Sequence, residues 1–542
     1  MSAGPSALHP PLTLPLNART MATVLTGLLV SLGGLFLVAP AARPVVLPTL
    51  VVLNLFVLFV VTLKNRDGRL PVFELGTVCA LITGLYATVP LVGFWLGGLT
   101  WSPLSDSRLY NFPPTGDQLV GVAWRYVVYF ASFVLAYLWL RGRISFPAAG
   151  VGVDRTTQAV IVAAFLALGA FFLLVQIVFG VSLNTSYASV REGATSLPSE
   201  LPRFIQQAVG YGEGVLLVSK LCLLVLLFRR WASPRSRVVL IGWLAFEVIT
   251  AATRLGSRRD TAMLLIASVL LYDHLVRPLK TWQAVAGGAS LLLGLLAFGF
   301  NRDLGGAEAS WTAANEFQIL FGNGCDMLAR VRSGQLDIPR QLHFGELLML
   351  IPSRWQPLLP FPVLDPSDWY LDVLDVRGTG VGFMFGVVAQ AIIGGDWVEL
   401  VTRGIVLGLC FAGIHRWCSR RADNLWVVVF YLYLCLWCYY TIRATTFYMT
   451  YFVLYRFVPA VALLWAVRNG DLLLVTEGYH PFAANQGYDA YYLNFLAGDR
   501  RTMQASDDPD IAWIRETWKT MERDPRVPLV TGAETPTRAG GS

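Results

Sequence analysis

The sequence predicts an all-α protein, a polytopic membrane helix bundle of about 12 transmembrane helices with a large helical loop on the non-cytoplasmic side. Three observations carry this reading. Apolar runs of close to 20 residues recur along the chain, the length a helix needs to cross a hydrocarbon core of about 30 Å. Charged residues fill 14% of the 542 positions and apolar ones 55%, against about 25% charge in soluble domains. The basic residues gather in short loops between the runs, where they orient membrane helices. That placement also removes the nucleic-acid partner that a net charge of +7 would otherwise suggest.

The elements follow in order. Residues 1–20 lack a basic n-region leading to a cleavage site, so the first apolar run reads as a retained helix and residues 1–20 as an N-terminal segment that the next basic loop places in the cytoplasm. The first runs, 21–40 and 45–63, end at Lys64, Arg66 and Arg69, which fix that loop inside. Runs 72–99, 119–140, 159–180 and 209–228 alternate across the membrane, with Arg141, Arg143, Arg155, Arg229, Arg230, Arg235 and Arg237 falling inside. A tight pair, 238–253 and 261–276, and a ninth run, 284–300, complete helices 1–9 over residues 21–300. Residues 301–380 then form the large extracytoplasmic loop.

Residues 381–393 are apolar, but at 1.5 Å per residue they reach only about 20 Å. They read as a re-entrant or partial helix. Three spans follow, 398–414, 425–441 and 447–467, which keeps His415, Arg416, Arg420 and Arg421 inside. A full crossing at 381–393 would give thirteen spans and place that basic loop outside. Residues 468–542 form a polar cytoplasmic tail with one amphipathic stretch, 511–523, and a disordered end.

Seven cysteines show no disulfide or metal-ligand spacing, and no metal or cofactor is expected. The turn of the tight pair is rich in arginine, with Arg254, Arg258 and Arg259 before Asp260. Guanidinium groups at headgroup depth suit a lipid-linked phosphate or diphosphate. The competing reading has them snorkel and fix the helix ends. Lys220 and Glu247 lie inside adjacent runs at matching depth and are expected to form a structural ion pair, because either charge alone is costly in lipid. The large loop carries Arg302, Asp303, Glu308, Glu316, Asp326, His343, Glu346 and Arg354. It also carries Trp369 and Tyr370 among Asp365, Asp368, Asp372 and Asp375. Aromatics beside carboxylates suit sugar binding, and equally an interfacial helix.

Three stretches resemble the oligosaccharide repeat-unit polymerases, the Wzy-type O-antigen polymerase family. They are Gly256-Ser257-Arg258 opening a helix, Phe344-Gly-Glu346 running to Ile351-Pro352-Ser353-Arg354, and Gly378-Thr-Gly380 followed by Gly394-Gly395 and a helix with Gly404 and Gly408. Together they cover roughly residues 240–465. Gln390 stands where members often have glutamate, and Arg354 is displaced by one residue from the family's Ile-Pro-Arg.

The resemblance implies a membrane glycosyltransferase in a bacterial inner membrane. It would join glycans carried on undecaprenyl diphosphate into a cell-surface polysaccharide, with a chain-length regulator and a flippase as partners. Such chemistry needs a base for the attacking hydroxyl, for which Glu316 and Glu346 are candidates. It also needs cations for the leaving diphosphate, for which Arg258, Arg191, Arg354 and Arg443 are candidates. The alternatives are an O-antigen ligase, another lipid-linked-sugar transferase, or a non-enzymatic flippase or transporter of lipid-linked glycan.

Overall fold

The computed structural model describes residues 18–96, 114–142, 144–147, 151–179, 203–252, 258–280, 282–283, 286–287, 312–334, 336–352, 355–374 and 385–469. The chain divides into two compact units, Met1–Asp471 and Leu472–Ser542, and the second lies outside the described residues. Among the described residues the fold is all helical, with no strand beyond a single bridge between Gly152 and Asn424.

The order is α1 (Ala18–Leu37), α2 (Arg43–Asp67), α3 (Leu75–Leu96), α4 (Gly116–Arg141), α5 (Arg155–Phe179), α6 (Arg203–Arg229), α7 (Pro234–Ala252) and α8 (Arg258–Leu271). Then come α9 (Thr312–Ser333), α10 (Gly345–Leu348), α11 (Pro366–Val373), α12 (Val387–Ile393) and α13 (Asp396–Ser419). The chain continues through α14 (Leu425–Trp437), α15 (Tyr440–Arg443), α16 (Tyr448–Phe452) and α17 (Val458–Asn469). Seven helical stretches are long and apolar enough to cross a membrane: Arg43–Asp67, Leu75–Trp95, Gly116–Arg141, Arg155–Val175, Asp396–Ser419, Leu425–Arg443 and Tyr448–Val467. Their outer faces are apolar. Leu53 on α2, Leu135 and Trp139 on α4, and Leu166 and Leu174 on α5 are all exposed. Contiguous apolar surface of this kind is what lipid covers and water does not.

Helix α4 is the centre of the bundle. Thr115 and Gln118 close its first turn as a reciprocal capping box, and Tyr126, Tyr129, Phe130, Phe133 and Tyr137 are fully buried along it. Helix α13 runs beside it in the same direction, because two glycines remove the side chains between them. A Cβ at Gly404 would stand 2.6 Å from Tyr129 O, and one at Gly408 would stand 2.6 Å from Phe133 O.

The segment 301–380, expected as a loop, contributes a helix to the bundle itself. Helix α9 packs on α3, α4 and α12, with Tyr126 stacked on Phe321 at 5.5 Å and Tyr86 against Phe317 at 4.8 Å. Cys325, read from sequence as a lone loop cysteine, is buried there. Beyond α9, Asp365 caps α11 by accepting from the Ser367 N–H at 2.7 Å. Burial raises its carboxyl above the usual range. Helix α12 has seven residues, all buried, and at about 10 Å it is too short to cross a bilayer.

At the end of α4 that the charge pattern assigns to the cytoplasm, Arg141 is completely buried between Asp67 and Glu74. It donates to Asp67 Oδ1 at 2.8 Å and to Glu74 Oε2 at 2.7 Å, and the Tyr137 hydroxyl also donates to Glu74.

Candidate functional site

The densest polar constellation at the other end of the bundle begins where α13 starts. Gly394 and Gly395 leave room for the Glu399 side chain to fold back, so its Oε2 accepts the Gly395 N–H at 2.7 Å. The first residue of α13, Asp396, has φ of +48°. That is a left-handed conformation costly for a residue with a Cβ, and such strain concentrates at functional sites. Arg125 of α4 holds Asp396 with a two-pronged contact, Nε to Oδ1 at 2.7 Å and Nη2 to Oδ2 at 2.6 Å. The same guanidinium lies 4.5 Å from the Trp397 ring centre, where the ring's negative face adds to the attraction.

Two turns further along α13, Arg403 gathers a second group. Its Nε donates to Glu399 Oε1 at 2.7 Å and its Nη1 to Thr446 Oγ1 at 3.1 Å. Nη1 also pairs with Glu346 of α10. Glu346 Oε2 accepts the Phe447 N–H at 3.1 Å. The side chains of Arg403 and Glu346 are 7% and 3% exposed, so water does little to screen the pair. Nearby in the chain, Gln390 Nε2 donates to Leu342 O at 3.0 Å, while its Oε1 is buried without a partner. These contacts fasten residues 340–348 to the spans.

The residues singled out from sequence fall unevenly. Glu346 lies in this network, and its bonded neighbour Phe447 belongs to the turn that follows Arg443, the half-buried last residue of α15. Arg258 opens α8 and Glu316 lies in the first turns of α9, but the side chains of both are outside the described residues. Arg191 and Arg354 lie outside the described residues altogether. Lys220 and Glu247 come together: Lys220 Nζ is 2.7 Å from Glu247 Oε1, which also accepts from Trp243 Nε1 at 3.0 Å.

Arg125, Asp396, Glu399 and Arg403 are absent from the sequence-derived candidates. The signal was present for the arginines, since a charge inside an apolar run implies a partner. The same test that singles out Lys220 and Glu247 applies to Arg125 and Arg403. Among the described residues no group of His, Cys, Asp and Glu is placed to hold a metal ion.

Comparison with known proteins bears on another part of the chain. The family model KduI/IolB matches residues 439–514, which begin in the last spans and run past the final described helix. The curated protein 5-deoxy-glucuronate isomerase from Geobacillus thermodenitrificans (strain NG80-2) is 51% identical over 51 residues, 9% of this chain and 19% of that protein. The protein of the same name from Listeria monocytogenes serovar 1/2a is 47% identical over 51 residues, again 9% and 19%. That from Lacticaseibacillus casei is 47% identical over 49 residues, 9% and 18%. The chain thus spans about a fifth of the length of the curated relatives it matches. No solved structure matches the chain.

Proposed function

We propose that the protein polymerises undecaprenyl-diphosphate-linked oligosaccharide repeat units into a cell-surface polysaccharide, acting at the outer face of a bacterial inner membrane through twelve crossings. One observation carries the reading. Glu346, on the segment after α9, is bonded to the turn that follows Arg443 across 101 positions of sequence, so that segment is fastened beside a cation candidate at one end of the spans.

In this scheme the acceptor sugar hydroxyl loses its proton to a carboxylate as it attacks the anomeric carbon of the donor. The bond to the diphosphate breaks, and the departing oxygen takes the negative charge. Arg258, Arg191, Arg354 and Arg443 are the groups assigned to stabilise that charge. Both oxygens of Glu346 are already engaged, by Arg403 and by the Phe447 N–H. Glu346 therefore serves to position the segment, and Glu316 is the better assigned base. The lipid-linked donor is already activated, so the transfer needs no nucleotide.

The test is incubation of purified protein with a lipid-diphosphate-linked repeat unit and sizing of the glycan. A ladder of repeat lengths is expected, and Arg258→Ala should give none while the protein still inserts. A single addition would indicate a ligase or another transferase instead.

The C-terminal match favours a second reading, in which that segment isomerises a sugar acid. About 50 residues bury too little apolar surface for an independent core, and the match reaches only 19% of its relatives' length. Conversion of 5-deoxy-glucuronate by the purified full chain would establish it.

A further inference from the structure

Arg456 and Glu213 form an ion pair that is neither buried nor at a helix end. Arg456 Nη1 lies 3.3 Å from Glu213 Oε2, with the side chains 38% and 42% exposed. At 1.5 Å per residue Glu213 sits about 6 Å inside the run 209–228, and Arg456 about 12 Å along the span that begins at Tyr448. Charges exposed at such depth face water or a polar ligand, because contact with lipid is costly. In a bilayer such a pair requires a hydrated groove between α6 and the last span.

The two helices touch beside the pair. A Cβ on Gly214 would stand 3.2 Å from Arg456 O. The backbone there, Val453–Phe457, is a π-turn, a distortion that recurs at functional sites. Tyr448, Tyr451 and Tyr455 are half-buried and share one helical face. Their rings continue a row from Tyr440, with centroid distances of 5.8 Å to Tyr448, 5.8 Å on to Tyr451 and 4.8 Å on to Tyr455. The Tyr455 hydroxyl donates to Leu350 O at 2.8 Å, so the row ends against the turn after α10.

We infer that this groove binds the carbohydrate chain of the lipid-linked glycan, an inference that rests on the glycosyl-transfer reading above. Tyr448, Tyr451 and Tyr455 offer the negative faces of their rings to sugar C–H groups and their hydroxyls to sugar hydroxyls. Glu213 accepts from sugar hydroxyls and Arg456 donates to them. A polyprenyl tail is the wrong occupant, because it would strip water from two charges without replacing the hydrogen bonds. A diphosphate is also wrong, because Glu213 would face it with like charge. Sugar hydroxyls satisfy both members of the pair at once. The groove therefore handles the sugars being transferred, apart from the arginines assigned to the diphosphate.

The experiment titrates the full-length protein in detergent with the repeat oligosaccharide, released from its lipid by mild acid, and follows binding by calorimetry. Wild type is expected to bind. Tyr451→Ala should weaken binding about tenfold, an effect of one aromatic contact with its hydrogen bond. Tyr451→Phe, which keeps the ring, should lose less. Glu213→Gln should also weaken binding, and this exposed, isosteric change covers the case in which Tyr451→Ala fails to fold. In the polymerisation assay Tyr451→Ala should shorten the ladder. Identical affinities for wild type, Tyr451→Ala and Glu213→Gln would overturn the groove even if polymer forms, and so would a wild type that does not bind. Oligosaccharide binding that these variants weaken, in a protein that makes no polymer, would uphold the groove and overturn the glycosyl-transfer reading alone.

Discussion

Arg403 holds two carboxylates, Glu346 and Glu399, in a place that water barely reaches. Such a cluster adds little net stability over apolar packing, because desolvating three charges offsets most of their attraction. Breaking it is another matter. Arg403→Ala strands Glu346 at 3% exposure with only the Phe447 N–H as a partner, and should cost about 3–5 kcal/mol. Glu346→Gln keeps an acceptor for Phe447 and leaves Arg403 with Glu399 and Thr446, so it should cost clearly less. Thermal unfolding of the two variants in detergent measures the difference. Equal losses would mean that the pair does not anchor the 340–348 segment. The ion pair of Lys220 and Glu247 obeys the same arithmetic at 2.7 Å. It was legible in the sequence because both charges sit in runs joined by one loop, so matching depth implied contact. Arg125 and Asp396 stand 271 positions apart, and no local pattern links them.

At the scale of elements, the seven long apolar helices were legible because a bilayer imposes one length and one composition on a crossing helix. Helix α9 was not, because it is amphipathic and of low mean hydropathy, and its apolar face finds α3, α4 and α12 only in the folded bundle. The contact between α4 and α13 is the most demanding of these packings. Its closest approach is between a backbone and two glycines, so no flexible side chain can yield to an added group. Gly404→Ala or Gly408→Ala should destabilise by about 1–3 kcal/mol or more through overpacking. Gly242 of α7 has nothing within 4 Å of where a Cβ would lie. Gly242→Ala should therefore be neutral, or stabilising by up to about 1 kcal/mol from helix propensity. Melting temperatures in one detergent compare the three directly. Equal tolerance at Gly404 and Gly242 would argue that α13 does not pack as closely on α4 as described.

For the whole molecule, the chain divides into an apolar helical unit, Met1–Asp471, and a segment, Leu472–Ser542, that overlaps the match to the KduI/IolB family at residues 439–514. The first unit carries its own core, from Phe59 on α2 through Phe130 on α4 to Trp437 on α14, each fully buried. Its polar networks at both ends of α4 also close within Met1–Asp471: Arg141 with Asp67 and Glu74, and Arg403 with Glu346 and Glu399. Among the described residues, every partner in these networks lies before Asp471. A chain ending at Asp471 should therefore insert, fold and melt within a few degrees of the full chain, as thermal unfolding in detergent would measure. It should also keep the full ladder of repeat lengths if the spans carry the glycosyl transfer. Loss of polymer with melting unchanged would move the chemistry toward the C-terminal segment. Loss of both would mean that the helical unit depends on that segment, and its independence as a fold would be wrong.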